Sequence, residues 1–336
     1  MSDQITTTAP TMAPTTAPTM ASRLRGARSW DGIGLLVVFI VLYVALSVLS
    51  PQFFTLGNQL AILQNAGYFG IVAFAMTLVI VAGEIDISVG SMAALSSSLL
   101  GVFVIQRGIP LPLAVLLVLI VAGAIGAFAG VMRAYFGVPT FISTLALYLA
   151  LRGLAQLITN NFPIPIDSSK FFYWGSGNVF GVSVYAIYLV IVFVAILIIS
   201  KKTVFGRSVY AVGGNATAAG LSGIPVRRIK ILVMVISAVV AAVTGLLQSA
   251  LLSSGNSTIA IGLEFQAISA TIIGGAALSG GKGSVVGTLI GVLFIAALLN
   301  GMVLLNVNPY AQQVVQGVVV LIAVLVNVWR SRKSVA

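Results

Sequence analysis

Cysteine and histidine are both absent from this 336-residue chain. Without them there is no disulfide, no zinc finger, no histidine-ligated haem and no nucleophile activated by an imidazole. Cysteine usage therefore says nothing about redox compartment. Acidic side chains are scarce as well: six Asp and Glu stand against 17 Lys and Arg, and only 7% of the residues are charged. A soluble globular chain carries about 25%. With 59% hydrophobic residues and a mean hydropathy of +1.14, one water-borne core could not hide the apolar side chains, and so few charges could not cover its surface. The solvent that suits this composition is lipid.

The net charge of +11 invites a nucleic-acid reading, but its distribution does not support one. Arg23, Arg25 and Arg28 precede the first apolar run, and Lys201, Lys202, Arg207, Arg227, Arg228 and Lys230 share one polar segment. Arg330, Arg332 and Lys333 follow the last apolar run. This is the flanking charge of a membrane protein rather than the lining of a phosphate-binding groove, so lipid is the expected partner and nucleic acid is not.

Residues 1–29 are rich in Thr and Pro with a basic end, and are expected to form a disordered cytoplasmic tail. The tail lacks the apolar core of a cleaved signal sequence. Apolar runs follow at 33–49, 66–82, 89–105, 111–131, 141–158, 182–200, 230–252, 266–279, 284–304 and 312–329. The expectation is an all-α integral membrane protein of about ten transmembrane helices over 30–329, with the third and eighth runs short or interrupted by Gly and Ser, and a basic tail at 330–336. Both termini are placed inside, because that orientation leaves only Arg107 and Lys170 on the outer side. The longest outer loop is then about 159–181, and the longest inner segment is 201–229.

Glycine is abundant, at 35 residues. Gly126 and Gly130, and Gly283, Gly287 and Gly291, have the small-xxx-small spacing that lets helix backbones approach in lipid. Asp86-Ile-Ser-Val-Gly-Ser and Gly283-Ser-Val-Val-Gly-Thr each open a run after a Gly-rich break, one in each half, which permits an inverted repeat.

Chemistry at membrane depth falls to few residues. Glu84, Asp86 and Glu264 sit at the edges of apolar runs, and Arg152 lies inside one. Asp86 and Ser88 suit either the N-cap of the third span or a transport path. Glu264 opens the eighth span, where a negative charge also meets the positive helix end. Arg152 either snorkels outward or faces the bundle interior and pairs with an acid, Asp86 being the expected partner. With Asn65, these residues form the candidate path: Asn65, Glu84, Asp86, Ser88, Arg152 and Glu264. Gly280-Gly281-Lys282-Gly283-Ser284 lacks the spacing of a phosphate loop, so the chain is expected to hydrolyse no ATP itself, to bind no cofactor and to hold no metal.

Gly83-Glu-Ile-Asp-Ile-Ser-Val-Gly-Ser91 and four later stretches, taken together, resemble the permease subunits of bacterial sugar-importing ABC transporters, the ribose, xylose, arabinose and autoinducer-2 group. Gly83-Glu-Ile-Asp-Ile-Ser-Val-Gly-Ser91 is similar to that group's G-G-I-D-L-S-V-G-S signature. Gly137-Val-Pro-Thr-Phe-Ile-Ser-Thr-Leu145, Leu151-Arg-Gly153, Phe205-Gly-Arg-Ser-Val-Tyr-Ala-Val-Gly-Gly-Asn215 and Ile273-Gly-Gly-Ala-Ala-Leu-Ser-Gly-Gly-Lys-Gly-Ser284 agree with it, in order along the chain. The resemblance implies a multi-pass inner-membrane subunit that imports a monosaccharide, a ribose-like pentose or a relative, by alternating access. It implies a second permease, here a homodimer, a periplasmic or lipid-anchored sugar-binding protein, and a separate ATP-binding subunit that uses the ATP. It also implies a coupling helix at about Asn215 to Leu221, in a loop whose contact residues are Gly206, Arg207, Gly214, Asn215, Ala218, Ala219, Leu221, Ser222 and Gly223. Two departures stand out. Glu84 replaces the signature's second Gly, and Ala216-Thr217 stand where acids are common in relatives. A gradient-driven secondary transporter or channel is the alternative, because Gly-broken spans suit it equally.

Overall fold

Lipid offers no partner to a backbone amide, so a chain that crosses it must satisfy its own. The computed structural model describes residues 30–333, and these are overwhelmingly helical. The expected tail at 1–29 lies outside the described residues, as do residues 334–336 of the basic tail.

The order is α1 (Trp30–Leu49), α2 (Leu56–Val81), α3 (Val89–Gly101, continued by a π-helical turn at Val102–Gln106), α4 (Leu111–Phe136) and α5 (Thr140–Thr159). Then come β1 (Ile164–Pro165), α6 (Ser169–Ser176), β2 (Asn178–Val179), β3 (Val182–Ser183), α7 (Val184–Lys202), α8 (Val204–Gly214) and α9 (Ala216–Leu221). The chain ends with α10 (Val226–Leu252), β4 (Ser254–Gly255), α11 (Leu263–Ile273), α12 (Val285–Leu304) and α13 (Pro309–Lys333). The strands are two-residue antiparallel pairs, β1 with β4 and β2 with β3.

Among the described residues, seven helices are long and apolar enough to span alone: α2, α3 with its π turn, α4, α5, α7, α10 and α12. Gly34–Leu49, Leu263–Ile273 and Pro309–Leu325 are shorter apolar helices, so all ten expected runs contain helix. The eighth is half a helix. The 11 residues of α11 rise about 16 Å against a hydrocarbon core of about 30 Å. Its expected second half is irregular, because Gly275, Gly280 and Gly281 take positive φ. The second run starts earlier than its hydropathy suggests, at Leu56. The polar residues that hid this turn are satisfied in place: Asn58 exchanges bonds of 3.0 and 2.8 Å with Asn300, and Gln59 Nε2 donates to the Phe53 carbonyl at 2.6 Å.

Helix α2 is the central post, buried almost continuously from Ala66 to Val81 and packed against α7, α10, α11 and α12. Helix α10 lies along α4, and the expected small-residue seam is there: a Cβ on Gly126 would come within 2.6 Å of the Met234 carbonyl oxygen, and one on Gly130 within 2.6 Å of the Ile231 Cα. The second glycine series does the same for α12, where Gly287 and Gly291 abut Gly274 and Ala270 of the α11 segment. Both Gly-flanked segments open helices, α3 at Val89 and α12 at Val285.

Candidate functional site

The irregular link 82–88 between α2 and α3 is where two of the sequence motifs meet. Its amides are satisfied by the start of α5: Ile85 N donates to Thr140 Oγ1 at 3.2 Å, and Ile87 N donates to Thr144 Oγ1 at 3.2 Å. The Gly-Val-Pro-Thr stretch thus acts as a clamp on the acidic signature, with Pro139 setting the turn into α5.

Glu84 is buried, at 3% exposure. It receives Thr140 Oγ1 at 2.8 Å, Arg133 Nε at 2.8 and 3.1 Å, and Lys230 Nζ at 2.5 Å. Three helices, α4, α5 and α10, therefore converge on one carboxylate. The acid that departs from the signature is matched by two cations, which is what a buried charge requires. Sequence reading missed Arg133 and Lys230 as partners, although both lie at the basic end where Glu84 stands out as an acid.

Asp86 is held by the start of α3 and by α10 rather than standing as a simple helix cap. Its Oδ1 accepts from Ser88 N at 2.9 Å and Ser88 Oγ at 2.6 Å, and its Oδ2 accepts from Ser237 Oγ of α10 at 2.7 Å. Ser88 occupies the cap position of α3 but makes no cap bond, since its hydroxyl is turned to Asp86. The expected pair between Arg152 and Asp86 does not form. Arg152 Nη1 instead donates to the carbonyls of Ser257 at 2.9 Å and Ile259 at 2.7 Å. The reason is axial distance: Arg152 stands eight residues, about 12 Å, beyond Thr144, so it meets a different break in the fold, the link 253–262 between α10 and α11.

Glu264 lies just inside that second break. It is fully buried in the first turn of α11, and Gly90 of α3 lies directly against its carboxylate. The amides of Gly262 and Glu264 itself face the carboxylate, yet neither oxygen has a well-formed hydrogen bond. Arg152 and Tyr68 lie near it, and Tyr68 lies beside Gln248. Tyr68 and Gln248 are members of this cluster that sequence reading missed, since a lone Tyr and a lone Gln in apolar helices carry no motif. Asn65 is exposed on α2, about one turn from Tyr68, and makes no side-chain hydrogen bond among the described residues. The six candidates thus divide between two breaks, Glu84, Asp86 and Ser88 at one, Arg152 and Glu264 at the other, with Asn65 near the second.

The inner segment folds into two short helices. Thr203 Oγ1 caps α8 by accepting from Gly206 N at 3.0 Å, and Asn215 Oδ1 caps α9 by accepting from Ala218 N at 3.0 Å. Gly206 is buried against the end of α7, and Arg207 is exposed. In α9 only Ala219 is buried; Ala218 is exposed and Leu221 is 87% exposed, with Ser222 and Gly223 following it into solvent. The base of this unit is fastened to the bundle. Gly281 N donates to the Val81 carbonyl at 2.8 Å, Tyr210 Oη donates to the Gly283 carbonyl at 3.0 Å, and a Cβ on Gly281 would lie 2.6 Å from the Gly214 Cα. Glycines from three motifs meet here because nothing larger fits between the backbones. Among the described residues no cluster of acids could hold a metal ion.

Residues 58–324 match the protein family described as branched-chain amino acid transport system / permease component. The probable ABC transporter permease protein YphD of Escherichia coli (strain K12) is 49% identical over 308 residues, covering 92% of each chain. The ribose import permease protein RbsC of the same strain is 42% identical over 296 residues, 87% of this chain and 92% of the relative. The L-arabinose transport system permease protein AraH, also from that strain, is 34% identical over 306 residues, 91% and 93% of the two chains. No solved structure matches the chain significantly.

Proposed function

This chain belongs to the ABC-transporter permease family, and from that membership we propose that it moves a monosaccharide of the ribose or arabinose kind into the cytoplasm by alternating access. It is a multi-pass inner-membrane transport subunit, not an enzyme, and its family works with an ATP-binding subunit and a substrate-binding protein. A second copy of this chain completes the membrane core in this reading. A neutral sugar needs few fixed charges along its way, which suits a chain with six acids.

What carries the reading is α9: a capped helix that presents Ala218 and Leu221 to solvent at the basic end, on a base hydrogen-bonded to the foot of the central helix α2. A motor that grips Leu221 would pull on Val81 through Gly281, Gly213 and Gly214. Asn65, Arg152 and Glu264 are assigned to the translocation path, and Glu84, Asp86 and Ser88 to the hinge at its basic end. The test is uptake of radiolabelled D-ribose and L-arabinose into proteoliposomes holding this chain with its ATP-binding and sugar-binding partners. Uptake that needs ATP and all three components is the expected result. Flux through the purified chain alone, without ATP, would replace this reading by a gradient-driven carrier or channel.

A further inference from the structure

Buried polar groups are almost always paired, so a group of unpaired ones in a single place points to something that is meant to pair with them. Near the break 253–262 lie both carboxylate oxygens of Glu264 and Nη2 of Arg152, and a fourth such atom, Oε1 of Gln248, belongs to a side chain beside Tyr68. They come from α11, α5 and α10, and Tyr68 of α2 lies near them. Arg152 is held in place by its other nitrogen, which is committed to the Ser257 and Ile259 carbonyls, so Nη2 is a fixed donor. Glu264 is fixed by the start of α11 and by Gly90, whose missing side chain is what gives the carboxylate its room.

We propose that Tyr68, Arg152, Gln248 and Glu264 form a way station that binds the hydroxyl groups of the sugar during its passage, a proposal that rests on the importer reading above. The unfilled inventory is three acceptors and one donor. Each sugar hydroxyl gives one proton and accepts one or two, so a polyol fills the set: hydroxyl protons go to Glu264 Oε1, Glu264 Oε2 and Gln248 Oε1, and one hydroxyl oxygen receives Arg152 Nη2. A zwitterionic amino acid satisfies the same count with its ammonium and carboxylate. The spread of the acceptors over two helices and of the donor on a third favours hydroxyls distributed round a ring over three protons on one nitrogen.

The experiment measures equilibrium binding of tritiated D-ribose to the purified permease and ATP-binding subunit complex by scintillation proximity, with no sugar-binding protein present. Wild type should bind saturably, 2-deoxy-D-ribose should compete less well than D-ribose, and L-leucine should not compete. Glu264→Gln and Gln248→Met should each weaken binding about tenfold, the size of one hydrogen bond to a charged or buried partner. Glu264→Gln should also narrow the preference for ribose over its deoxy analogue, which a merely structural role would not do. Should Glu264→Gln melt early, Gln248→Met, at a partly exposed position, decides the matter. Unchanged binding in the folded variants, competition by L-leucine, or no binding to a wild-type complex that still drives ATP-dependent ribose uptake would overturn the way station and leave the importer standing. Absence of ATP-dependent uptake by wild type would instead remove the importer reading itself.

Discussion

Glu84 shows how one residue can carry a whole corner of the fold. Its carboxylate is met by Arg133, Lys230 and Thr140, so removing it leaves two cations facing each other near the foot of α2. Glu84→Gln should lower stability by about 1–3 kcal/mol, less than a fully buried pair would lose, because the Arg133 side chain is 30% exposed and can turn to water. Combining it with Lys230→Met should recover part of that loss, and a double-mutant cycle by thermal melting in detergent checks the coupling. Simple additivity of the two changes would contradict the ion pair. Gly90 is the opposite case, a residue that matters for what it lacks. A Cβ there would run into the Glu264 carboxylate and lie 2.6 Å from the Ala260 carbonyl oxygen, so Gly90→Ala should cost about 1–3 kcal/mol by overpacking, read from the same melts. A variant as stable as wild type would mean that α3 and the second break are not in close contact.

At the scale of elements, the coupling role proposed for α9 can be tested apart from folding. Leu221 is 87% exposed, so Leu221→Asp should leave the melting temperature nearly unchanged while co-purification of the ATP-binding subunit is lost. Retention of that subunit would place the grip elsewhere. Gly281→Ala should act differently, since Gly281 has φ +73° and a Cβ there presses on Gly214. It should keep the ATP-binding subunit bound yet reduce sugar uptake per ATP, because the strain falls between α8 and the foot of α2. Elements were also where sequence reading was most uneven. The apolar stretches of α4, α7, α10 and α12 read directly as spans, while the first turns of α2 were hidden by Asn58, Gln59, Gln64 and Asn65. Hydropathy scores a residue as if it faced lipid, and it cannot know that Asn58 will find Asn300, 242 positions away.

For the molecule as a whole, the absence of native cysteine gives a clean way to test its orientation. Ser222, beside α9, and Phe180, fully exposed between β2 and β3, lie on opposite sides of the membrane if both termini are inside. Ser222→Cys should react with an impermeant maleimide only in inside-out vesicles, and Phe180→Cys only from the periplasmic face. Labelling of both from one side would refute the topology. The outward faces of α1, α4, α5 and α7 are rich in exposed Leu, Ile, Val and Phe, as a lipid-facing surface should be.

The amino-acid sequence alone determined the solvent, the helical class, the number of apolar runs and which end is basic. Each of these is a property of local composition, and a 20-residue apolar run has the same meaning wherever it packs. Through the motifs it shares with its family it also singles out Asn215 to Leu221 as the segment proposed for a partner's grip, because motif order survives in one dimension. Only the tertiary structure decided that Glu84 belongs to Lys230, 146 residues away, that Arg152 holds carbonyls rather than Asp86, and that Tyr68 and Gln248 stand with Glu264. A buried charge takes whichever partner packing brings within about 3 Å, and that choice depends on helix depth and crossing, which no single segment of the chain encodes.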